Sequence, residues 1–250
     1  MAPSSRRATL TTQIADELRN DIIAGAFAPG QRLTTAELTV RYQVSATPLR
    51  EALQHLAAQG MVDIDPRLGT SVPPISRAHL RDTYAVRELL EVEAVKRSIE
   101  NADTAWAARL GELFVEFQEA VNKSGKESGV LSWSAAHRAF HEGLMANCDS
   151  PWLKSLINMI TDHSERYRML SARLGVRDPI AEHHAIYQAA ISRDAEAAAE
   201  ALREHLRLTV KVLEESLPVT DDTNDAGDGV PSSTDDGLDE ALPGDRSLPA

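Results

Sequence analysis

The sequence predicts a mainly α protein: an N-terminal winged helix-turn-helix (three helices plus a β-hairpin wing) joined to an all-α antiparallel helical bundle. Three observations carry this. Ile14, Leu18 and Ile22 recur every four residues, the spacing of an amphipathic helix. Short apolar stretches at 61–64 and 70–72 flank a turn that holds Pro66 and Gly69, as in a hairpin. Beyond Pro73-Pro74, apolar residues return at helical spacing as far as residue 216.

Taking the elements in order, the first helix runs from about Thr12 to Ala24, and Gly25 stops it. Pro29-Gly30 makes a turn, after which Thr34 or Thr35 caps a short helix to Tyr42. Ser45 caps a third helix to Gln59, with Leu49, Leu53 and Leu56 on one face, and Gly60 closes it. In the bundle, Leu80, Tyr84, Leu89, Val92 and Val95 mark one helix, and Trp106, Leu110, Leu113, Phe117 and Val121 a second. Further helices are expected at 131–147, 151–171, 179–192 and 194–216, the last capped by Asp194.

The 250 residues carry a net charge of −12, which taken whole argues against nucleic acid. The charge is uneven, however. Residues 1–75 hold seven Arg and seven acids, 76–216 have a net charge of −4, and 217–250 have a net charge of −8. That last stretch of Asp, Gly, Ser, Thr and Pro reads as a disordered acidic tail, either solvated without a partner or competing for a basic surface. The expected divisions are therefore 8–75, 76–216 and 217–250. No uncharged apolar run approaches the roughly 18 residues of a membrane helix, and no apolar stretch follows Arg6 and Arg7 as in a signal peptide. Cys148 stands alone, which excludes an internal disulfide and fits a reducing cytoplasm.

A recognition helix presents its N-terminal residues to the major groove, so Ser45, Thr47 and Arg50 are placed to meet DNA. In the wing, Arg67 reaches the minor groove or backbone, and Gly69 allows close approach. The bland alternative pairs Arg50 with Glu51 or Glu37 on a solvated face. The strings Pro29-Gly30-Gln31-Arg32-Leu33, Glu37-Leu38 and Val44 to Leu53 resemble the DNA-binding domain of GntR-family bacterial transcription regulators. The family usually has Arg where this chain has Ala46, and some members have Arg where it has Ala36. The resemblance therefore implies contacts resting on Thr47, Arg50 and Arg67, with Arg32 and Arg41 as further candidates.

Four of the eight histidines carry the other chemical signal. His137 and His141 are one helical turn apart and share a face, while His183 and His205 lie on the last two helices. A bundle brings such positions to one internal point, and imidazole suits Zn, Ni, Cu or Fe. Arg87 interrupts an apolar helix face and needs an anionic partner, either Glu91 one turn on or the carboxylate of a ligand. His163, near Arg166 and Arg168, borders the same pocket or lies on a helix surface; His55, His79 and His184 read as bystanders.

Arg87 with Glu91, Phe140-His141, Glu182-His183 with Ile186, and Asp194 with His205 resemble the FCD effector domain of FadR-type GntR regulators. In that family an Asp and three His hold a divalent metal, and the metal plus an Arg capture a small organic acid. The His set carries over onto His141, His183 and His205, with His137 at the Asp position. An all-nitrogen quartet favours Zn or Ni. The resemblance implies a homodimer on a palindromic operator, in the cytoplasm, with repression relieved by ligand.

Two other readings compete. One is a DNA-binding protein whose helical domain only dimerises. The other is a metal-dependent hydrolase, but the string His137-Arg138-Ala139-Phe140-His141 lacks the Glu that follows the first His of a zinc protease. No nucleophile elbow or phosphate loop is present, no catalytic residue is assigned, and an enzyme leaves residues 10–75 unexplained.

Overall fold

The computed structural model describes residues 9–123, 129–171 and 179–217. The expected tail lies outside them except for Leu217, which is not tail: it is buried in the helical core, and its carbonyl accepts a hydrogen bond from Arg77 Nη2.

Helix α1 (Leu10–Ile23) is capped by Thr9 and ends at Gly25, whose φ of +76° suits glycine. Helix α2 (Thr35–Tyr42) is capped by Thr34, which accepts from Glu37 N, while its hydroxyl donates to the Glu37 carboxylate at 2.7 Å. Gln43 in the left-handed region turns the chain into α3 (Ala46–Ala58). Ile14, Leu18, Ile22, Leu38, Leu49, Leu53 and Leu56 form the centre of one hydrophobic cluster.

The wing has a third strand that the sequence pattern does not reveal. β1 (Arg32–Leu33) and β2 (Asp63–Asp65) both pair antiparallel with β3 (Gly69–Ser71), giving the order β1-β3-β2. Gly30 N donates to Val72 O and Val72 N to Gln31 O, and these bonds draw β1 onto the sheet. The expected strand at 61–64 begins two residues later, because Met61 and Val62 are buried in the cluster instead. At the tip, Asp65 Oδ1 accepts from the backbone N–H groups of Leu68 and Arg67, which lowers its pKa and fixes the turn.

Six helices form the second cluster: α4 (Arg77–Glu100), α5 (Thr104–Lys123), α6 (Gly129–Leu144), α7 (Pro151–Ser171), α8 (Pro179–Ile191) and α9 (Ala195–Ser216). α4 packs on α9 and α7, α5 on α6 and α8, and α8 on α9. Ser76 and Asp194 cap α4 and α9. Leu89, expected in the core, is 74% exposed; the inward positions of that stretch belong to Arg87 and Glu91. At the junction, α1 packs against α7 as well as α3.

Candidate nucleic-acid interface and metal centre

The N-terminus of α3 is open to solvent. Ser45 occupies its N-cap without a side-chain capping bond, and Ser45, Thr47 and Arg50 are exposed around it. Unbonded N–H groups and the positive end of the helix dipole make such an end a phosphate acceptor. Arg50 forms no ion pair among the described residues. The two acids that could have claimed it are engaged elsewhere, Glu37 by Thr34 and Glu51 by the Thr11 hydroxyl at 2.8 Å. Arg32, Arg67 and Gly69 are exposed in the wing, with Gly69 at a φ of +85°. Arg41 differs: its guanidinium holds Asp21 at 2.8 Å and lies 4.9 Å from the centre of the Phe27 ring, so it ties α2 to α1.

The four histidines converge. His137 and His141 from α6, His183 from α8 and His205 from α9 are all buried, and one nitrogen of each lies within 4.8 Å of the other three. The nearest pair, His141 Nε2 and His183 Nε2, are 3.2 Å apart. His183 Nδ1 donates to Pro179 O at 2.6 Å, and His205 Nδ1 bonds Glu182 Oε2 at 2.9 Å. A neutral imidazole donating through Nδ1 carries its lone pair on Nε2. His141 Nε2 faces the His183 lone pair at contact distance, so either His141 donates its own proton there or the two nitrogens share a cation. Tetrahedral zinc with 2.0–2.1 Å bonds spaces its donors about 3.3 Å apart, close to the observed 3.2 Å.

The electrostatics agree. Burial, then Arg168 and the other histidines, push His137 well below the usual histidine range; burial, His183 and His205 do the same for His141. Both rings are therefore neutral and able to ligate, and the Nδ1 atoms of both are buried without a hydrogen-bond partner among the described residues. The donor set could hold a divalent metal ion. Around it stand Phe117, whose ring centre is 4.3 Å from that of His183, and Trp133, at 5.5 Å from His137.

Arg87 and Glu91 stand beside the cluster. Arg87 Nε donates to Glu91 Oε1 at 2.5 Å and Nη1 to Ser164 Oγ at 3.1 Å. Burial opposes the arginine charge, but Glu91 and Tyr84 outweigh it and raise its pKa. Both residues line a cavity of about 20 Å³ together with His137, His141, Arg138, Glu142, Thr161 and Glu165, room for about one water. Glu91 Oε2 and Tyr84 OH are buried without a hydrogen-bond partner among the described residues.

His163 is not at this cavity: it donates to Gln59 O at 2.7 Å and packs on Gly60 at the junction with α3. His79 is no bystander, since its Nδ1 lies 2.6 Å from Tyr167 OH. Sequence reasoning missed the roles of Glu182, Ser164, Arg138 and Asp162. Only Glu182, adjacent to His183 and one helix from His205, carried a signal that could have found it.

The gntR family of bacterial regulatory proteins matches residues 10–72 and the FCD domain matches residues 82–208. The chain is 35% identical over 200 residues to an uncharacterized HTH-type transcriptional regulator, BphR, of Paraburkholderia xenovorans, covering 78% of this chain and 82% of that one. It is 29% identical to the HTH-type transcriptional repressor GlaR of Escherichia coli, covering 80% and 94%. The fold is shared with the E. coli McbR/YncC structure at a TM-score of 0.73 and 24% identity, covering 83% and 98%.

Proposed function

This chain belongs to the GntR family of bacterial transcription regulators, with an FCD domain behind its DNA-binding domain, and from that premise we propose that it is a metal-containing, ligand-responsive repressor. The observation that carries the proposal is the buried quartet His137, His141, His183 and His205, with His183 and His205 oriented by Pro179 O and Glu182. The metal is Zn or Ni, supplying a Lewis-acidic centre for the oxygen of a small organic acid. Arg87 is the cationic anchor for the anion, and an effector carboxylate competes with Glu91 for it.

DNA contacts fall to Ser45, Thr47 and Arg50 on α3 and to Arg32, Arg67 and Gly69 on the wing, with Arg41 kept for the α1–α2 junction. One reader spans a short half-site, so a homodimer on a palindromic operator in the cytoplasm is the working form. An exposed apolar stripe on α7, Trp152, Leu156 and Met159, offers a face for the second copy.

Arg50→Ala tests the DNA reading. In gel shifts with the promoter beside its own gene, at fixed salt, specific affinity should fall about 10- to 100-fold while the thermal midpoint stays put. Unchanged affinity would remove Arg50 from the interface. The small size of the cavity favours a second reading, a helical domain that only dimerises. A screen of small organic acids that stabilises the wild type and not Arg87→Ala decides for the effector; no stabilisation decides for dimerisation alone.

A further inference from the structure

We propose that Asp162 on α7, held between Arg138 and Arg19, carries the state of the histidine cavity to the DNA-reading helices. Helix α7 has two working faces. Asn158, Thr161 and Glu165 line the cavity, while Asp162, His163 and Arg166 hold the N-terminal elements. Asp162 gives one oxygen to each side. Its Oδ1 accepts from Arg138 Nη1 at 2.6 Å, and its Oδ2 lies 3.4 Å from Arg19 Nε on α1. Arg138 directly follows His137, lines the cavity and also holds Glu142 at 2.8 Å. At the other end, Arg19 Nη2 donates to the Gln59 side chain at 2.8 Å, at the C-cap of the recognition helix. The chain of contacts therefore runs from the metal helix to both helices that fix the reader. Asp162 and Arg19 are only 16% and 19% exposed, so solvent screens their link weakly.

The position of the clamp gives it a sensing role. The small cavity and an outer recess of about 250 Å³ share the walls Glu142, Met145, Ile157 and Asn158, so the cavity opens outward between α6 and α7. An occupant larger than a water must part these helices, and a metal that draws His137 and His141 toward His183 and His205 must shift α6; the α6–α7 spacing is what the Arg138–Asp162 bond sets. Parting them draws Asp162 away from Arg19 or breaks its hold on Arg138; either way the restraint on α1 changes. This rests on the proposed function in that the cavity takes the ligand.

Hydrogen exchange on the full chain tests it, with and without zinc as the probe. In the metal-free protein, Arg138→Gln and Asp162→Asn should each raise exchange in α1 and around Gln59 about threefold, and the double variant no further, with α5 unchanged. Arg138→Lys should restore part of the protection. Zinc should alter α1 exchange in the wild type and leave it unaltered in Asp162→Asn, although both bind the metal. Unmoved α1 exchange in the single variants overturns the relay, as does an equal zinc response in Asp162→Asn. If zinc binds neither chain, the metal reading fails and the variants alone decide the relay.

Discussion

Zinc added to the metal-free protein is expected to raise its thermal midpoint by about 10 °C at pH 7.5, and His183→Ala to abolish the rise. A ligand present at about 1,000 times its dissociation constant stabilises the folded state by about 4 kcal/mol, and a chain of this size shifts by about 2–4 °C per kcal/mol. His183 is the variant of choice because its Nδ1 is held by Pro179 O and its Nε2 faces His141. The response has a defined pH dependence. Burial and neighbouring charges keep His137 and His141 from taking protons in the folded state, whereas the unfolded chain binds them below about pH 6.5. The stability that depends on neutral imidazoles is thus complete above that pH. It is lost on acidification, at up to about 1.4 kcal/mol per pH unit for each ring. Zinc replaces protons on the same nitrogens, so its increment should shrink over the same window. No midpoint shift at pH 7.5, with no metal retained by mass analysis, would end the metal reading.

Local chemistry was legible and long-range pairing was not. The caps at Thr34 and Asp194 could be read because a cap is a contact within three residues, and the same pattern places Ser45 at the N-cap of α3, where it makes no such bond. The histidine convergence was legible because an i, i+4 pair fixes a helix face and a three-residue turn brings α9 back beside α8. β1 escaped because two residues show no alternation; Arg32 and Leu33 are a strand through their pairing with Ser71 and Thr70 of β3, which the bonds of Val72 to Gly30 and Gln31 extend. Leu89 counts toward the apolar stripe by its residue type alone; helical spacing puts Arg87 and Glu91, three and seven residues past Tyr84, on the Leu80–Tyr84 face, and those are the side chains that turn inward. Arg41 reads as a free cation until α1 brings Asp21 to it. The clamp at Asp162 needs α1, far away in sequence, beside α6 and α7, and charges at such positions read as solvated surface.

Placement of charge inside the bundle has a further consequence: Glu91→Ala should be among the most destabilising single substitutions in the chain. Glu91 is fully buried and holds the equally buried Arg87 at 2.5 Å, so its removal strands a guanidinium that cannot shed its proton. The expected loss is about 3–5 kcal/mol, a midpoint drop of about 10 °C. The reverse deletion behaves differently. In Arg87→Met the group left behind is a carboxyl, which unlike arginine has a neutral form, so its deficit against wild type should be smaller than that of Glu91→Ala. Formate supplies the missing carboxylate and should restore part of the midpoint in Glu91→Ala, more than it moves the wild type, where Glu91 Oε1 already holds Arg87. Rescue would show that the arginine accepts an outside carboxylate once its own is gone, which is the competition an acidic effector must win. A Glu91→Ala protein within about 1 kcal/mol of wild type, indifferent to formate, would mean that Arg87 finds another partner and is not the anchor.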